Sequence, residues 1–454
     1  MTPIDRRTFL RLVGGTLGGA VVGTSLVGCG TTPPPDGGDP DLPNGYRFHR
    51  VKDLGASAGQ GGRTLDLAWF YGGTHLTGEG VLTFDARNGS GRSGLFQLGL
   101  DFGGERPRIE WERTVVRSGE TLADGRVVGR LEAMDVGASG NVAAVVRTAG
   151  PSDPTRHYGS GLYLEAGRDG LEPVVIAGDT VGDRNATGHI GDIDLDGADD
   201  LLVVLGHAPA GDGIDVGETL LHLPGASLTG ARAVLASSEA VPGTDHLVAD
   251  LGLIDRHASG HFTIQAATEP LNASLASAQG PATGTAVISG RLATLGDLRL
   301  TAGSTELGAG LHPGELRYGP RIGPDGDPFV ILSSGGDAER LVLGDRVLLA
   351  SGDPSPAGGS VLGFSPGAIS AGGVGYYTLF SEAADGTPSM ALVATDGREH
   401  RVLLAGGDTL ADGASRVNSF LFGTTTKHVD PLERIVLICD FEDGTTSIVA
   451  GIPA

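Results

Sequence analysis

The chain has 454 residues, of which 55 are Asp or Glu and 32 are Lys or Arg, giving a formal net charge of −23. A surface this acidic repels nucleic acid and anionic lipid headgroups, which excludes both as partners and favours solubility and cation binding. Glycine contributes 78 residues, and short apolar runs alternate with Gly and Asp turns, a composition typical of all-β proteins.

The first predicted element is an export signal at residues 1–28. The run from Asp5 to Arg11 resembles the twin-arginine consensus, which implies that Arg6 and Arg7 are the pair read by the export receptor. Asp5 stands where that consensus more often has Ser or Thr. The apolar stretch at 12–28 is shorter and richer in Gly than the about 20 apolar residues of a spanning helix. We therefore expect a removable signal peptide.

This stretch ends in Leu26-Val27-Gly28-Cys29, which resembles a lipobox. The resemblance implies cleavage before Cys29 and acylation of its thiol, and two or more acyl chains hold a protein firmly on a bilayer. The alternative is an ordinary signal with a chance cysteine. Gly30 implies, by resemblance to enterobacterial lipoproteins, that sorting to an outer membrane is permitted. The expected location is the cell envelope: lipid-anchored, extracytoplasmic, and periplasm-facing or outer-membrane in a Gram-negative host.

A spacer is predicted at residues 29–44, which follow the cleavage point. Residues 31–44 are mostly Pro, Gly and Asp and have too few apolar side chains to form a core, so they make a semi-extended tether. The mature chain keeps 29 basic and 54 acidic residues, a net charge of −25. Residues 45–454 form the predicted folded domain, which we expect to be monomeric.

The folded domain contains a recurring mark, an apolar strand that ends in a small residue followed by Gly and an acid. Successive marks are about 49 to 65 residues apart, close to the range of propeller and solenoid repeats. Four copies are clear and two are weaker: Gly119-Glu120, Gly178-Asp179, Gly352-Asp353 and Gly407-Asp408, then Ser238-Glu239 and Gly303-Ser304.

Between marks, a Gly turn precedes an apolar strand and a second strand often follows, so each unit supplies about four strands, or one propeller blade. Residues 48–55 have the phase of a seventh mark, and the last unit, 416–454, lacks its closing strand. The N-terminal strand is therefore predicted to complete the C-terminal blade and close the ring. We predict an all-β fold, a β-propeller of seven four-stranded blades. Six or eight blades, a string of β-sandwiches and a β-solenoid remain alternatives.

The arrangement resembles bacterial propeller-like proteins with tandem N-x-x-G-x-x-A-F repeats. The best-matching residues are Gly137-Ala-Ser-Gly140-Asn-Val-Ala-Ala, in which the first Asn is absent. This resemblance implies a fold and an exported setting, and it implies no activity.

One acidic loop predicts a Ca²⁺ site. Carboxylates at alternate positions around a Gly turn converge on one point, and Ca²⁺ takes six to eight oxygen ligands. The loop resembles the calcium loop of FG-GAP propeller repeats, which implies a structural ion. The predicted ligands are Asp192, Asp194, Asp196, Asp200 and the carbonyl of Ala198. The alternative is a solvated turn whose Asp side chains cap their own backbone.

Two enzyme-like strings lack the required context. Gly55-Ala-Ser57-Ala-Gly59 matches a nucleophile elbow without a following helix, and residues 89–94 match a dinucleotide fingerprint inside a hairpin. Cys439 is the cysteine that remains after Cys29 and lies in an apolar run, so we expect it to be buried and no intramolecular disulfide to form. No catalytic residue is predicted.

The Gly-acid turns are expected on one rim of the ring, as ordinary turn chemistry or, alternatively, as a carboxylate collar for a cation. The first functional hypothesis is a membrane-tethered binding or structural scaffold for an extracytoplasmic protein or glycan. The alternative is an extracytoplasmic enzyme, a hydrolase or lyase acting on a polymer, with its site in the propeller mouth. The fold supports both, and the lack of a clustered acid/base set in the sequence favours binding.

Overall fold

A computed structural model describes most of the predicted folded domain. The residues described are 42–54, 67–88, 92–149, 157–165, 170–181, 184–197, 199–209, 217–270, 284–294, 297–303, 312–333, 338–411, 413, 416–422 and 426–454. The predicted export pair Arg6 and Arg7, the predicted lipidation site Cys29 and the predicted ligand Ala198 lie outside them. None of the helices in this described part is long and apolar enough to cross a membrane.

The described residues form seven separate sheets in chain order, which confirms the seven-bladed propeller. Blade 1 contains β2 (Leu67–Leu76), β3 (Val81–Asn88), β4 (Ser93–Asp101) and β5 (Arg108–Arg117). Blade 2 contains β6 (Val127–Val136), β7 (Val142–Ala149), β8 (His157–Glu165) and β9 (Leu171–Val175). Blade 3 contains β10 (Thr180–Val181), β11 (Arg184–Leu195), β12 (Leu201–Pro209), β13 (Gly217–Leu223) and β14 (Arg232–Ala236).

The remaining blades follow the same plan. Blade 4 contains β15 (His246–Arg256), β16 (His261–Pro270), β17 (Gly284–Arg291), β18 (Arg299–Gly303) and β19 (His312–Pro313). Blade 5 contains β20 (Glu315–Leu316), β21 (Arg321–Ile322), β22 (Pro328–Ser333), β23 (Glu339–Leu343) and β24 (Arg346–Ala350). Blade 6 contains β25 (Ser360–Ile369), β26 (Gly375–Glu382), β27 (Pro388–Thr395) and β28 (His400–Ala405). Short 3-10 helices lie at Pro224–Ala226, Leu292–Thr294 and Thr426–His428.

Blade 7 closes the ring with both ends of the folded domain. It contains β29 (Val417–Leu421), β30 (Ile435–Phe441) and β31 (Thr446–Pro453), and its outermost strand is β1 (Tyr46–Asp53). β1 and β31 are antiparallel, with Tyr46 opposite Pro453 and Asp53 opposite Ser447. The predicted closure by the N-terminal strand is therefore confirmed.

The apolar core is divided among the blade interfaces. Seven clusters of buried residues occur, and each joins the facing sides of two neighbouring blades. The second strand of a blade is covered on both sides, so strands such as β7 and β22 are buried almost throughout. This double burial is why these strands read as continuous apolar runs in the sequence. Cys439 is a free, buried cysteine in β30, as expected.

The innermost elements surround the axis of the ring. β2, β6, β11, β15, β21 and β25 each contact the next in turn, and the 3-10 helix at 426–428 contacts both β25 and β2 to complete the circle. The innermost elements of the seven blades therefore surround one axis.

Candidate functional site

The acidic loop is one of seven copies of the same turn. In every blade, the first residue of the turn donates its backbone N–H to the carbonyl of the residue four positions later, and the fourth residue donates back to the first. That fourth residue has positive φ: it is Gly in five blades, Asp199 in blade 3 and Glu433 in blade 7. The turns begin at Thr77, Gly137, Asp196, His257, Gly323, Ser370 and Asp430.

The predicted calcium ligands lie around the blade 3 copy of this turn. Asp192 and Asp194 are buried at the end of β11, Asp196 opens the turn and Asp200 closes it. Asp192 Oδ2 accepts the backbone N–H of Ile254 at 2.8 Å. Asp200 Oδ1 accepts the N–H of Gly225, which lies between β13 and β14, at 2.7 Å. Asp192 and Asp200 are therefore hydrogen-bonded to different segments of the chain.

A cationic side chain joins the other two carboxylates. Arg256 of blade 4 donates from Nε to Asp194 Oδ1 at 2.9 Å, and its Nη1 lies 3.3 Å from Asp196 Oδ2. It also donates to the carbonyl of Asp200 at 2.9 Å. Among the described residues, no three His, Cys, Asp or Glu side chains are arranged to hold a metal ion directly. Calcium binding stays a prediction, with Arg256 as the competitor for the same carboxylates.

The seven turns also define seven equivalent positions at the axis. The residue two positions before each turn lies on an innermost element, and we call this set the axial ring. Each member is 5% exposed or less. Six of the seven are ionisable, although buried ionisable groups are rare unless they are paired. The axial ring consists of His75, Asp135, Asp194, Asp255, Arg321, Ala368 and His428.

Lys427 connects distant blades through this ring. It lies in the 3-10 helix of blade 7, and its Nζ donates to both carboxylate oxygens of Asp135 in blade 2, each at 2.7 Å. It also donates to the carbonyls of Val136 at 2.5 Å and of Leu195 in blade 3 at 3.1 Å. His75 Nδ1 lies 3.2 Å from Asp135 Oδ1. One ammonium group thus links blades 7, 2 and 3.

Axial carboxylates also hydrogen-bond to the inner edges of the sheets. An innermost strand has a row of N–H groups with no further strand to pair with. Asp135 accepts the N–H of Leu195 at 2.5 Å, and Asp255 accepts the N–H of Ile322 at 2.7 Å. The bond from Ile254 to Asp192 is of the same kind. In each case the acid belongs to one blade and the amide to the next, so these bonds fasten neighbouring blades together.

Burial dominates the electrostatics of this region. It raises the pKa of Asp135 and of Asp194 to about 8, against the opposing effect of the neighbouring cations, and raises the pKa of Asp255 well above its usual range. It lowers the pKa of Lys427 and brings the pKa of His428 to about 3. Removal of water penalises every charged form, so the charges persist only as close pairs.

The Gly-acid turns of the outer rim are built differently. Asp353 Oδ2 accepts the backbone N–H of Ala350 at 2.8 Å, and Asp408 Oδ2 accepts that of Ala405 at 2.7 Å. Glu120 and Asp179 make the same bond to the N–H three residues earlier. The preceding glycines have φ between 85° and 95°. This geometry confirms ordinary turn chemistry at these positions.

An acid/base cluster lies between blades 3 and 4, with His189 and Asp250 exposed and Glu218 buried. His189 Nε2 is 2.8 Å from Glu218 Oε1, and the N–H of Leu251 donates to both Glu218 Oε2 and Asp250 Oδ1, at 2.8 and 3.1 Å. The hydrogen bond to Glu218 is the main cause that raises the pKa of Asp250 to about 7. Sequence reasoning missed this cluster because its members lie up to about 60 positions apart and no local motif joins them.

Arg256 and Lys427 were also missed, although the sequence holds a signal for each. Once the seven turns are aligned, Arg256 is the charged residue at a position that is Leu, Val or Ile in the other six blades. Lys427 is one of only two lysines in the sequence.

Comparison with known proteins concerns the fold alone. No protein-family model and no curated protein sequence matches the chain. The Dos1 propeller is similar over 85% of this chain and 78% of its own, at 11% identity and a TM-score of 0.37. BBS1N, solved in complex with ARL6DN, is similar over 91% and 98%, at 10% identity and a TM-score of 0.33. A hypothetical selenium-binding protein from Sulfolobus tokodaii is similar over 73% and 78%, at 12% identity and a TM-score of 0.34. The seven sheets of this chain establish the propeller fold, and these neighbours carry no conclusion about activity.

Proposed function

We propose that the protein is an extracytoplasmic binding scaffold, tethered to a membrane through lipidated Cys29, whose propeller faces engage a protein or glycan. The observation that carries this proposal is the burial of the axial ring. Each of its members is 5% exposed or less, so the surface open to a ligand is on the outer faces of the propeller. Val347 and Leu432 are the large apolar side chains that the described residues expose. Together with the net negative charge, this surface suits a polar, positively charged partner.

The tether is tested on the N-terminus of the mature protein. Mass spectrometry of protein from its native envelope is expected to find residue 29 first and carrying acyl chains. Processing should be sensitive to globomycin, and replacement of Arg6 and Arg7 by lysine should block export. A mature protein with unmodified Cys29 contradicts the anchor.

Binding is tested with cross-linking in the native envelope before a pull-down. The Cys29→Ser variant, which keeps the same propeller, is the matched control. A partner that is enriched with both proteins and displaced by raised salt supports recognition through the acidic faces. No enrichment over an unrelated acidic propeller contradicts the scaffold proposal.

Calcium at Asp192, Asp194, Asp196, Asp200 and the Ala198 carbonyl is a second, separate proposal. Support comes from the approach of Asp194 and Asp196 to one cation, Arg256. Calorimetry and melting temperatures with Ca²⁺ and with EDTA test it, with Asp200→Asn as the loss-of-site variant. An unchanged melting temperature in the wild type counts against a structural ion, and Arg256 then supplies the positive charge.

The enzyme alternative has one supporting observation, the cluster of His189, Glu218 and Asp250. A carboxylate-oriented imidazole beside a carboxyl group with pKa about 7 suits general acid/base chemistry. Hydrolase and lyase assays on envelope polysaccharides test this reading, with Glu218→Gln as the disabled variant and Glu239→Gln as the charge-matched control. Activity lost only in Glu218→Gln would favour the enzyme.

A further inference from the structure

We propose that the tethered propeller turns one particular face towards the membrane. This face carries the seven turns that follow the innermost elements, and we call it the turn face. The opposite side includes the hairpins at 383–387 and 442–445, and we call it the distal face. The distal face is the one presented to partners. This orientation rests on the proposed anchor at Cys29 and names the surface through which the scaffold acts.

The turns lie on one side of the ring, because turns of neighbouring blades contact each other. Arg434 Nη2 in the blade 7 turn donates to the carbonyl of Gly78 in the blade 1 turn at 2.6 Å. Asn141 Nδ2 in the blade 2 turn lies 3.2 Å from Asp199 Oδ1 in the blade 3 turn. The strand that follows each turn therefore runs away from this side and ends on the distal face.

The incoming chain reaches the propeller on the turn face. Tyr46, the first residue of β1, pairs with Pro453 at the end of β31. The Tyr46 hydroxyl donates to the carbonyl of Glu433, the fourth residue of the blade 7 turn, at 2.5 Å. The chain segment directly before β1 therefore lies at the turn face.

Contacts with blade 6 fix this entry point. Arg401 Nη1 in β28 donates to the carbonyls of Leu42 and Pro43, at 3.3 and 2.5 Å. The Tyr46 hydroxyl also lies 3.2 Å from that of Tyr376 in β26. Leu42 and Tyr46 pack against the apolar cluster between blades 6 and 7. The point at which the tether meets the ring is therefore set by side chains of the propeller.

The length of the spacer decides which face can lie next to the lipid. Residues 30–41 separate Cys29 from Leu42, and a fully extended Pro-rich chain of this length reaches about 37 Å. The inner strands β6 and β25 have 10 residues each, which makes the propeller about 33 Å thick. With the turn face towards the lipid, the spacer has reach to spare. With the distal face towards the lipid, the spacer would span the whole thickness at nearly full extension, at a large cost in conformational entropy.

The acid/base cluster is then open on the side away from the membrane. Glu218 lies near the start of β13, and the other end of this strand, Leu223, pairs with Leu201 directly after the blade 3 turn. Glu218 is therefore near the distal face, where His189 and Asp250 are exposed beside it. A partner that approaches from outside the membrane meets these side chains without displacing the tether.

The test compares how close the two faces come to the lipid. The acylated protein, purified from its native envelope, is reconstituted in phosphatidylcholine vesicles that carry a spin-labelled headgroup as a quencher. These neutral headgroups do not repel the acidic protein. The same fluorophore is attached to Glu79→Cys or Asp325→Cys on the turn face, and to Ala384→Cys or Glu442→Cys on the distal face, all exposed positions. Cys439 is buried and does not take the label.

Quenching is expected to be at least about threefold stronger at the turn-face positions, because the distal positions lie about 33 Å further from the lipid. Equal quenching at the four positions, or stronger quenching on the distal face, would overturn the orientation. The variant Tyr46→Phe with Arg401→Gln removes the bonds that fix the entry point and keeps the aromatic ring. The difference between the faces should shrink in this variant, and the four wild-type-background proteins decide the question if it does not fold.

The anchor and the orientation fail in distinguishable ways. The Cys29→Ser variant should not float with the vesicles in a density gradient. A protein with Cys29 that also fails to float contradicts the anchor, and the orientation falls with it. A protein that floats and is quenched equally on both faces contradicts the orientation alone.

Discussion

The axial ring and the outer rim, by which we mean the Gly-acid turns, contain the same type of hydrogen bond, but it joins different parts of the chain in the two places. At both places an acidic side chain, repeated from blade to blade, accepts a backbone N–H. On the rim, Asp353 and Asp408 bond to an amide three residues earlier in their own chain segment, and both side chains are exposed. At the axis, Asp135 and Asp255 bond to amides 60 and 67 residues later, in the next blade, and both are buried.

This difference in burial and in sequence separation indicates that the axial acids, and not the rim acids, hold the blades together. A local bond in water fixes a turn and contributes little to the free energy of unfolding, because water replaces it readily. A buried bond between blades has no such replacement, so its loss leaves an amide and often a cation without a partner. The same acid–amide hydrogen bond, repeated along the chain, therefore contributes less to the free energy of unfolding at the rim than at the axis.

The largest expected effect is at Lys427. Replacement by methionine keeps the volume but removes the ammonium partner of Asp135, so the buried carboxyl must take up a proton and the Val136 and Leu195 carbonyls lose their donor, and we expect a loss of about 3–5 kcal/mol in the free energy of unfolding. Chemical denaturation measures it. The exposed pair of Arg117 and Glu120, 3.2 Å apart, is the control, and Arg117→Met should cost less than about 1 kcal/mol. Equal losses in the two variants would mean that the axial pair is no stronger than a surface pair.

A smaller effect is expected from removal of single carboxylates. Asp255→Ala leaves the Ile322 amide without its acceptor and should cost about 1–3 kcal/mol. Asp353→Ala, which removes the matching rim bond, should cost about 0.5 kcal/mol. Denaturant unfolding measures the free energy lost in each variant. A loss in Asp353→Ala as large as that in Asp255→Ala would contradict the greater contribution of the axial bond.

The pH dependence of stability should also differ between the buried axial carboxyls and the exposed acids. Burial raises the folded-state pKa of Asp135 and Asp194 to about 8, so between pH 4 and 8 the folded protein holds protons that the unfolded chain has released. The contribution of these two groups to stability is then fully present below about pH 4 and is lost as pH rises to about 8. Asp194→Asn should reduce the accompanying fall in melting temperature. The exposed Asp345→Asn should leave the slope unchanged.

The smallest effect concerns the rim glycines. Ser238 has φ of 71° at the place where four other blades have Gly, a conformation that costs a residue with a Cβ about 1–2 kcal/mol. Ser238→Gly should therefore raise stability by up to about 1 kcal/mol, and Gly352→Ser should lower it by a similar amount. Thermal unfolding of the two variants measures both stability changes. Changes of the same sign would show that the two turns are not equivalent.

Sequence patterns were sufficient for the fold because its determinants are local. The Gly-acid marks and the apolar strands each lie within a few residues, and their spacing gave the number of blades. The missing closing strand after residue 416 indicated that β1 would complete the ring. Even the irregular inner edge of blade 5, broken into β20 and β21, left the count intact.

The axial ring could not be predicted in the same way. The contact between Lys427 and Asp135 joins residues 292 positions apart, and no pattern in either segment specifies the other. The acidic loop shows the same limit. Its carboxylates matched a metal site in spacing, but the side chain that approaches Asp194 comes from position 256 in the next blade. Motif spacing describes residues that are close along the chain. Contacts between blades depend on how the repeats are placed around the ring, which no local motif specifies.

The closing strand also determines how the protein would bear force. Tension on a tether at Cys29 would reach the propeller at the start of β1, the strand that closes the ring. There, Arg401 Nη1 donates to the carbonyls of Leu42 and Pro43, at 3.3 and 2.5 Å, and attaches the incoming chain to blade 6. The Ala454 amide bonds to the Gly45 carbonyl at 2.9 Å. Mechanical load would therefore fall first on these few bonds and then on the seam between β1 and β31, so the ring would open where it closes.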